Sequence, residues 1–362
     1  MKLEQLIENR AIPDVLTGKD GSPIRTAKEF EKMRPQILKL LAEEEYGAVP
    51  EAPDHLDVTE IEGGVPHFAA GKAPLRRLRL HVTKGEKEFS FPITEVIPKN
   101  PSGKVPAFIL INFRPDVPDK YLPSEEIVDR GYAVFSFYYN DISPDRDVFR
   151  DAGSKFFGKG RRALNAPGKI AMWAWAAMRV MDYVQTIPKI DKDHIAVIGH
   201  SRLGKTALYT GANDERFRYV ISNDSGCSGA AITRNKIGEK KEDITRVFPY
   251  WFCPRYNKPT KIESLRFDQN FLLAMIPPRN LIVGSAENDS WADPESEFLA
   301  TYMTNRVYAL YGMRGLVTPD EVPGATAYLG EGDSCYELRR GDHYLSREDW
   351  NRYMDFIDSK RK

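Results

Sequence analysis

The stretch HIAVIGHSRLGKTAL, His194 to Leu208, joins an apolar strand pattern to a helix pattern across a sharp turn that carries a serine. Ile195, Val197 and Ile198 read as a buried strand, and Leu203, Ala207 and Leu208 recur as one face of a helix. Gly199 and Gly204 give the backbone room at the bend, where Ser201 sits. This is the pattern of a nucleophile elbow. Such a turn lifts a hydroxyl above the carboxyl edge of a parallel sheet, and the helix that follows offers amides to a developing oxyanion. The spacing departs from Gly-x-Ser-x-Gly, because Leu203 stands where the second glycine belongs and the glycine comes one residue later.

Working outward, GKIAMWAWAAMRVMDYVQTI (Gly168 to Ile187) predicts a strongly apolar helix leading into the elbow strand, with Trp173 and Trp175 in the core. FRYVISND (217 to 224) predicts the next strand, ending in Asp224. Upstream, VPAFILINF (105 to 113) and YAVFSFYY (132 to 139) are apolar runs expected of buried central strands, with a helix over Ser124 to Gly131 between them. LRRLRLHV (75 to 82) and FSFPITEVI (89 to 97) flank the turn-like KGEKE and predict a hairpin. Asn140 to Asn165 is polar and aperiodic, so it is placed as a long loop over the carboxyl edge of the sheet. Ile232 to Asp268 is irregular and aromatic, as expected of a pocket wall. Downstream follow a strand at Leu281 to Gly284, a helix from about Glu295 to Leu310, and a terminal helix capped at Ser346. These elements predict an α/β-hydrolase fold with a mostly parallel sheet. Residues 1–53 are expected to form a helical extension packed on a catalytic domain spanning 54–362.

Lys plus Arg and Asp plus Glu both number 52, so the formal charge is zero and no overall field favours nucleic acid or an anionic membrane. The opening MKLEQLIENRAIPD is charged throughout, and no apolar run is long enough to span a bilayer. The expectation is a soluble, cytoplasmic monomer, or a secreted one if a leader has been removed. Cys227, Cys253 and Cys335 are too few and odd in number for a disulfide framework, and are read as buried free thiols.

Ester hydrolysis by serine needs a base for the hydroxyl proton, an acid to orient that base, and donors for the oxyanion. The chain order Ser201, Asp289, His343 is the order of the α/β-hydrolase triad, and His343 follows the last strand, where the base belongs. Asp224, at another strand end, competes for the place of the acid. Asp289 is favoured because it follows the strand at 281 to 284. His200 is not expected to be the base, because its place on the turn points it elsewhere. His55, His67, His81 and His194 lie in segments that do not reach the edge. No metal-ligand spacing is evident.

The motif Gly-His-Ser-Arg-Leu-Gly-Lys (199 to 205) resembles the Gly-x-Ser-Arg-x-Gly-Lys elbow of the glucuronoyl esterases, carbohydrate esterase family 15. The resemblance extends over roughly Val105 to Trp350. It implies hydrolysis of 4-O-methyl-D-glucuronic acid esters, such as those joining xylan to lignin alcohols, without a cofactor. It also implies an oxyanion role for Arg202 and a sugar-binding role for Lys205, with Glu239 and Trp291 beside the ring as in bacterial members. Fungal members pair cysteines near the nucleophile and the histidine, but His200 takes that position here, which places the chain nearer the bacterial branch. They also carry a triad glutamate where Asp224 stands. An acetyl-xylan or general carboxylesterase would share all but the pocket. A catalytically silent carbohydrate-binding protein would share the fold alone.

Overall fold

The computed structural model describes residues 2–158 and 163–361. Among the described residues, ten strands form one sheet: β1 (His55–Phe68), β2 (Ala73–Lys84), β3 (Lys87–Val96), β4 (Val105–Asn112), β5 (Ala133–Tyr138), β6 (Ile190–His200), β7 (Tyr219–Asn223), β8 (Asn280–Ala286), β9 (Ala327–Leu329) and β10 (Ser334–Arg339). Their order is β1-β2-β3-β5-β4-β6-β7-β8-β10-β9. The run from β5 to β10 is parallel, while β1 to β3 and β9 pair antiparallel at the two margins. This is the α/β-hydrolase fold.

All eight residues of β4 are buried, which explains a continuous apolar run where a half-solvated strand would alternate. The pleat sorts them by parity. Ile109, Val197 and Phe135 enter one apolar layer with the helices Lys169–Val184 and Arg202–Asn213, and Phe108, Ile198 and Val134 enter the other with the helix Arg347–Lys360. Trp173 and Trp175 lie fully buried in the first layer. The hairpin at β2 and β3 forms as expected, but β1 was missed. Its alternation is broken at Gly63-Gly64, where the register with β2 shifts, and it is half-buried or exposed along its length.

The expected loop over Asn140 to Asn165 contains two short helices, Tyr139–Ile142 and Ala152–Phe157, and residues 159–162 of it lie outside the described residues. Phe156 and Phe157 pack against the Trp175 ring at 5.4 and 4.8 Å. That aromatic anchoring left no periodicity to read. The helix expected from Glu295 is two, Pro294–Met303 and Asn305–Leu310. All three cysteines are buried, and Cys227 and Cys335 are free thiols. Among the described residues, no helix is long and apolar enough to cross a membrane.

Candidate active site

At the end of β6, Ser201 adopts φ 57° and ψ −127°, a left-handed conformation that a residue with a Cβ holds only against strain on the order of 1–3 kcal/mol. It is held by its amide, which donates to the Asn223 carbonyl at 2.8 Å. A Cβ at Gly199 would lie 2.0 Å from the Leu203 carbonyl oxygen, so the strand and helix can only turn this tightly around glycine. A Cβ at Gly204 would lie 3.0 Å from that of Ser225 and 3.2 Å from the Asn223 oxygen. Position 204 is thus where the helix touches the end of β7, and Leu203 turns into the core. The delayed glycine follows from that contact. The amides of Arg202 and Leu203, in the first turn of Arg202–Asn213, have no intrahelical acceptor by position and are free to meet an anion.

His343, on the loop between β10 and the terminal helix, faces Asp289 Oδ2 with its Nδ1 at 2.6 Å. Burial pushes the Asp289 carboxyl up, but the hydrogen bond and charge of His343 together with the Ala292 amide and His200 outweigh it, and the pKa falls below the ordinary aspartate value. Asp289 therefore stays ionised beside the imidazole. Asp224 also comes close: its carboxylate, that of Asp289 and a ring nitrogen of His343 lie within 4.8 Å of one another. Its Oδ2 accepts instead from the Arg339 guanidinium at 3.3 Å and the Tyr344 amide at 3.2 Å, while Oδ1 is buried without a partner among the described residues. Burial, reinforced by the Glu297 charge, raises its pKa well above the ordinary value despite Arg339.

His200 is not directed away from the site as expected. Its ring lies 4.4 Å from that of His343, and its Nδ1 meets Asn223 Oδ1 at 2.6 Å. The alternation of β6 carries it to the sheet edge beside the elbow. Burial, then the His343 charge, lowers its pKa to about 3, so it packs against His343 as a neutral ring. His194 is tied to Asp191 at 2.9 Å near the start of β6, away from that edge.

Arg202 opens the elbow helix with its guanidinium 4.6 Å from the Trp251 ring, and its Nη1 donates to Asp145. Lys205, one turn on, is 4% exposed and donates to the Ser225 carbonyl. It is no solvated helix lysine. Burial lowers its pKa, and the largest opposing charge is that of Glu239. Glu239 is half-buried, and its amide donates to the Trp291 carbonyl at 3.0 Å. Trp291 stands 57% exposed. The structure thus joins Glu239 to Trp291 by the backbone. Sequence reasoning missed Asp145, in the aperiodic segment after β5, and Arg339, at the end of β10. Neither carries a local motif.

An elbow serine at the end of a parallel strand, with a histidine and a carboxylate paired on later loops, is the arrangement of the α/β-hydrolase class. The family model described as glucuronyl esterase, fungi, matches residues 80–312. "Carbohydrate esterase MZ0003", from an unknown prokaryotic organism, is 31% identical over 98% of this chain and 90% of its own. A "4-O-methyl-glucuronoyl methylesterase" from Schizophyllum commune is 27% identical over 84% of this chain and 75% of its own. The solved "Glucuronoyl Esterase from Solibacter usitatus" superposes with a TM-score of 0.87 at 30% identity, covering 97% of this chain and 98% of that one. The chain belongs to the glucuronoyl esterases, carbohydrate esterase family 15, a family of carboxylic ester hydrolases, and the prokaryotic relative matches more of it than the fungal one does.

Proposed function

We propose that this protein is a serine esterase that hydrolyses esters of 4-O-methyl-D-glucuronic acid, as in the links between xylan side chains and lignin alcohols. His343 takes the Ser201 hydroxyl proton, and Oγ attacks the C6 carbonyl. Arg202 and the first amides of the elbow helix hold the oxyanion. His343 gives the proton to the departing alcohol, takes one from the water that attacks the glucuronoyl-serine, and returns it to Ser201 Oγ as the uronic acid leaves. Asp289 orients the imidazole and stabilises its charged form. Lys205 and Glu239 bind ring hydroxyls, and Trp291 offers its face to the sugar. No step draws on a cofactor.

The observation that carries this reading is the 2.6 Å Asp289–His343 pair beside an elbow of the family's type. The site is also open, with the His343 side chain 44% exposed, as an ester carried on a polymer requires. The test compares turnover of benzyl glucuronate, methyl glucuronate and an acetylated sugar by the wild type and by Ser201→Ala. Turnover of the uronates by the wild type, lost on the order of a millionfold in Ser201→Ala, is expected. Faster turnover of the acetylated sugar would favour an acetyl-xylan or general carboxylesterase.

A further inference from the structure

The segment between β5 and the helix Lys169–Val184 has no part in the mechanism above, yet it supplies a carboxylate directly behind Arg202. Asp145 Oδ2 accepts from Arg202 Nη1 and, at 3.0 Å, from the Tyr139 hydroxyl. Its Oδ1 accepts from the indole Nε1 of Trp251 at 2.6 Å. Its own backbone is tied too: the amide donates to Asn140 Oδ1 at 2.7 Å and the carbonyl accepts from the Tyr250 hydroxyl at 3.2 Å. Both ends of this aspartate are immobilised before it meets the arginine.

Trp251, with Phe248 and Phe113, also walls the guanidinium. It lies 4.6 Å from the Trp251 ring, 5.4 Å from Phe248 and 5.7 Å from Phe113. Trp251 and Phe248 are themselves stacked at 3.9 Å with their planes 1° apart. One indole therefore serves both parts: its N–H fixes Asp145 and its face fixes Arg202. The Arg202 side chain is 26% exposed, so without these contacts water would compete for it. A free arginine has many rotamers to lose, and a donor that must be ordered during the reaction contributes less to the transition state than one already in place.

We infer that Asp145 is the positioning residue for Arg202, holding the guanidinium against Trp251 so that it meets the oxyanion without reorganisation. The inference rests on reading Arg202 as an oxyanion donor. A merely structural aspartate would pin the segment to Trp251 and leave catalysis indifferent to its charge.

The test measures kcat and KM on benzyl glucuronate for Asp145→Asn, Arg202→Ala and the double variant, with folding followed by circular dichroism and Tm. The asparagine can still accept from the Trp251 indole but has lost its charge. Asp145→Asn is expected to lower kcat roughly tenfold to a hundredfold, the effect of losing a charge-assisted hydrogen bond, with KM changed less than about threefold. The double variant is expected to be no slower than Arg202→Ala alone. Trp251→Phe keeps an aromatic ring but removes the indole donor and the second ring; it is expected to lower kcat, and again only when Arg202 is present, so the proposal stays testable if Asp145→Asn folds poorly. An unchanged kcat in Asp145→Asn, a loss confined to KM, or an equal loss in the Arg202→Ala background would overturn the positioning role. Wild-type kcat in Arg202→Ala would overturn the oxyanion reading itself, and the positioning role with it.

Discussion

Two aspartates lie within reach of one histidine, and their other partners separate them. Asp289 is bonded to His343 Nδ1 at 2.6 Å, whereas Asp224 is drawn toward Arg339 and the Tyr344 amide. Asp289→Asn would hold the wrong imidazole tautomer and is expected to cut kcat by as much as about ten-thousandfold. Asp224→Asn should cost much less, because it leaves the Asp289 bond intact. A severe loss from Asp224→Asn beside a near-normal Asp289→Asn would refute this assignment. Two modest single losses with a severe double would mean that the acids substitute for one another. Lys205 makes a different prediction. Lys205→Ala should lower kcat/KM on glucuronate esters roughly tenfold to a hundredfold, and far less on p-nitrophenyl acetate, as expected when a charge-assisted contact to the sugar is lost. Equal losses on both substrates would assign the buried amine to the Ser225 loop alone.

Between residue and fold stands the helix Pro294–Met303, which carries a buried carboxylate into the turn after β7. Glu297 accepts from the Gly226 amide at 2.8 Å and the Ser285 hydroxyl at 2.5 Å, tying the ends of β7 and β8 together. Burial raises its pKa from 4.5 to about 7, against those hydrogen bonds. The folded state keeps this proton to higher pH than the unfolded chain does. The resulting stability is fully present below about pH 4.5 and is lost as pH rises through 7, an effect on the order of 3 kcal/mol. Glu297→Gln cannot ionise, and the Ser285 hydroxyl can turn to accept from its amide. Its stability relative to wild type should therefore rise between pH 5 and pH 8, read from denaturant midpoints. A constant difference across that range would show that Glu297 is ionised throughout.

Across the whole molecule, residues ahead of β1 pack against the elbow helix and its neighbours. Tyr46 is fully buried, stacks on Tyr209 of that helix at 4.4 Å, and donates to the Ser228 carbonyl at 2.9 Å. Tyr209 returns a hydrogen bond to the Gly47 carbonyl at 2.7 Å, and Trp175 donates to that of Glu51 at 3.0 Å. Arg34 reaches the carbonyls of Met275 and Pro277 at 2.6 Å each. Arg34, Tyr46, Gly47 and Glu51 are thus tied to elements of the main sheet layer. Tyr46→Ala should destabilise the protein by about 3–5 kcal/mol in denaturant unfolding, the range for an aromatic truncated in a core. A change within experimental error would make the segment an appendage.

What the order of residues settled was local. A strand, a strained turn and a helix within fifteen residues can be read from apolar spacing and two glycines, because their contacts are with chain neighbours. The succession of apolar runs gave the sheet in the same way, and the Ser, Asp, His order followed from where such a sheet ends its strands. The strand β1 escaped because a mostly exposed edge strand needs little alternation. The tertiary structure decided which acid meets His343, that His200 packs against it, and that Asp145 stands behind Arg202. Each of these pairs joins residues 54, 143 and 57 positions apart in the chain. No local periodicity or propensity records such a pairing; it exists only once the sheet has brought the ends of its strands to one edge.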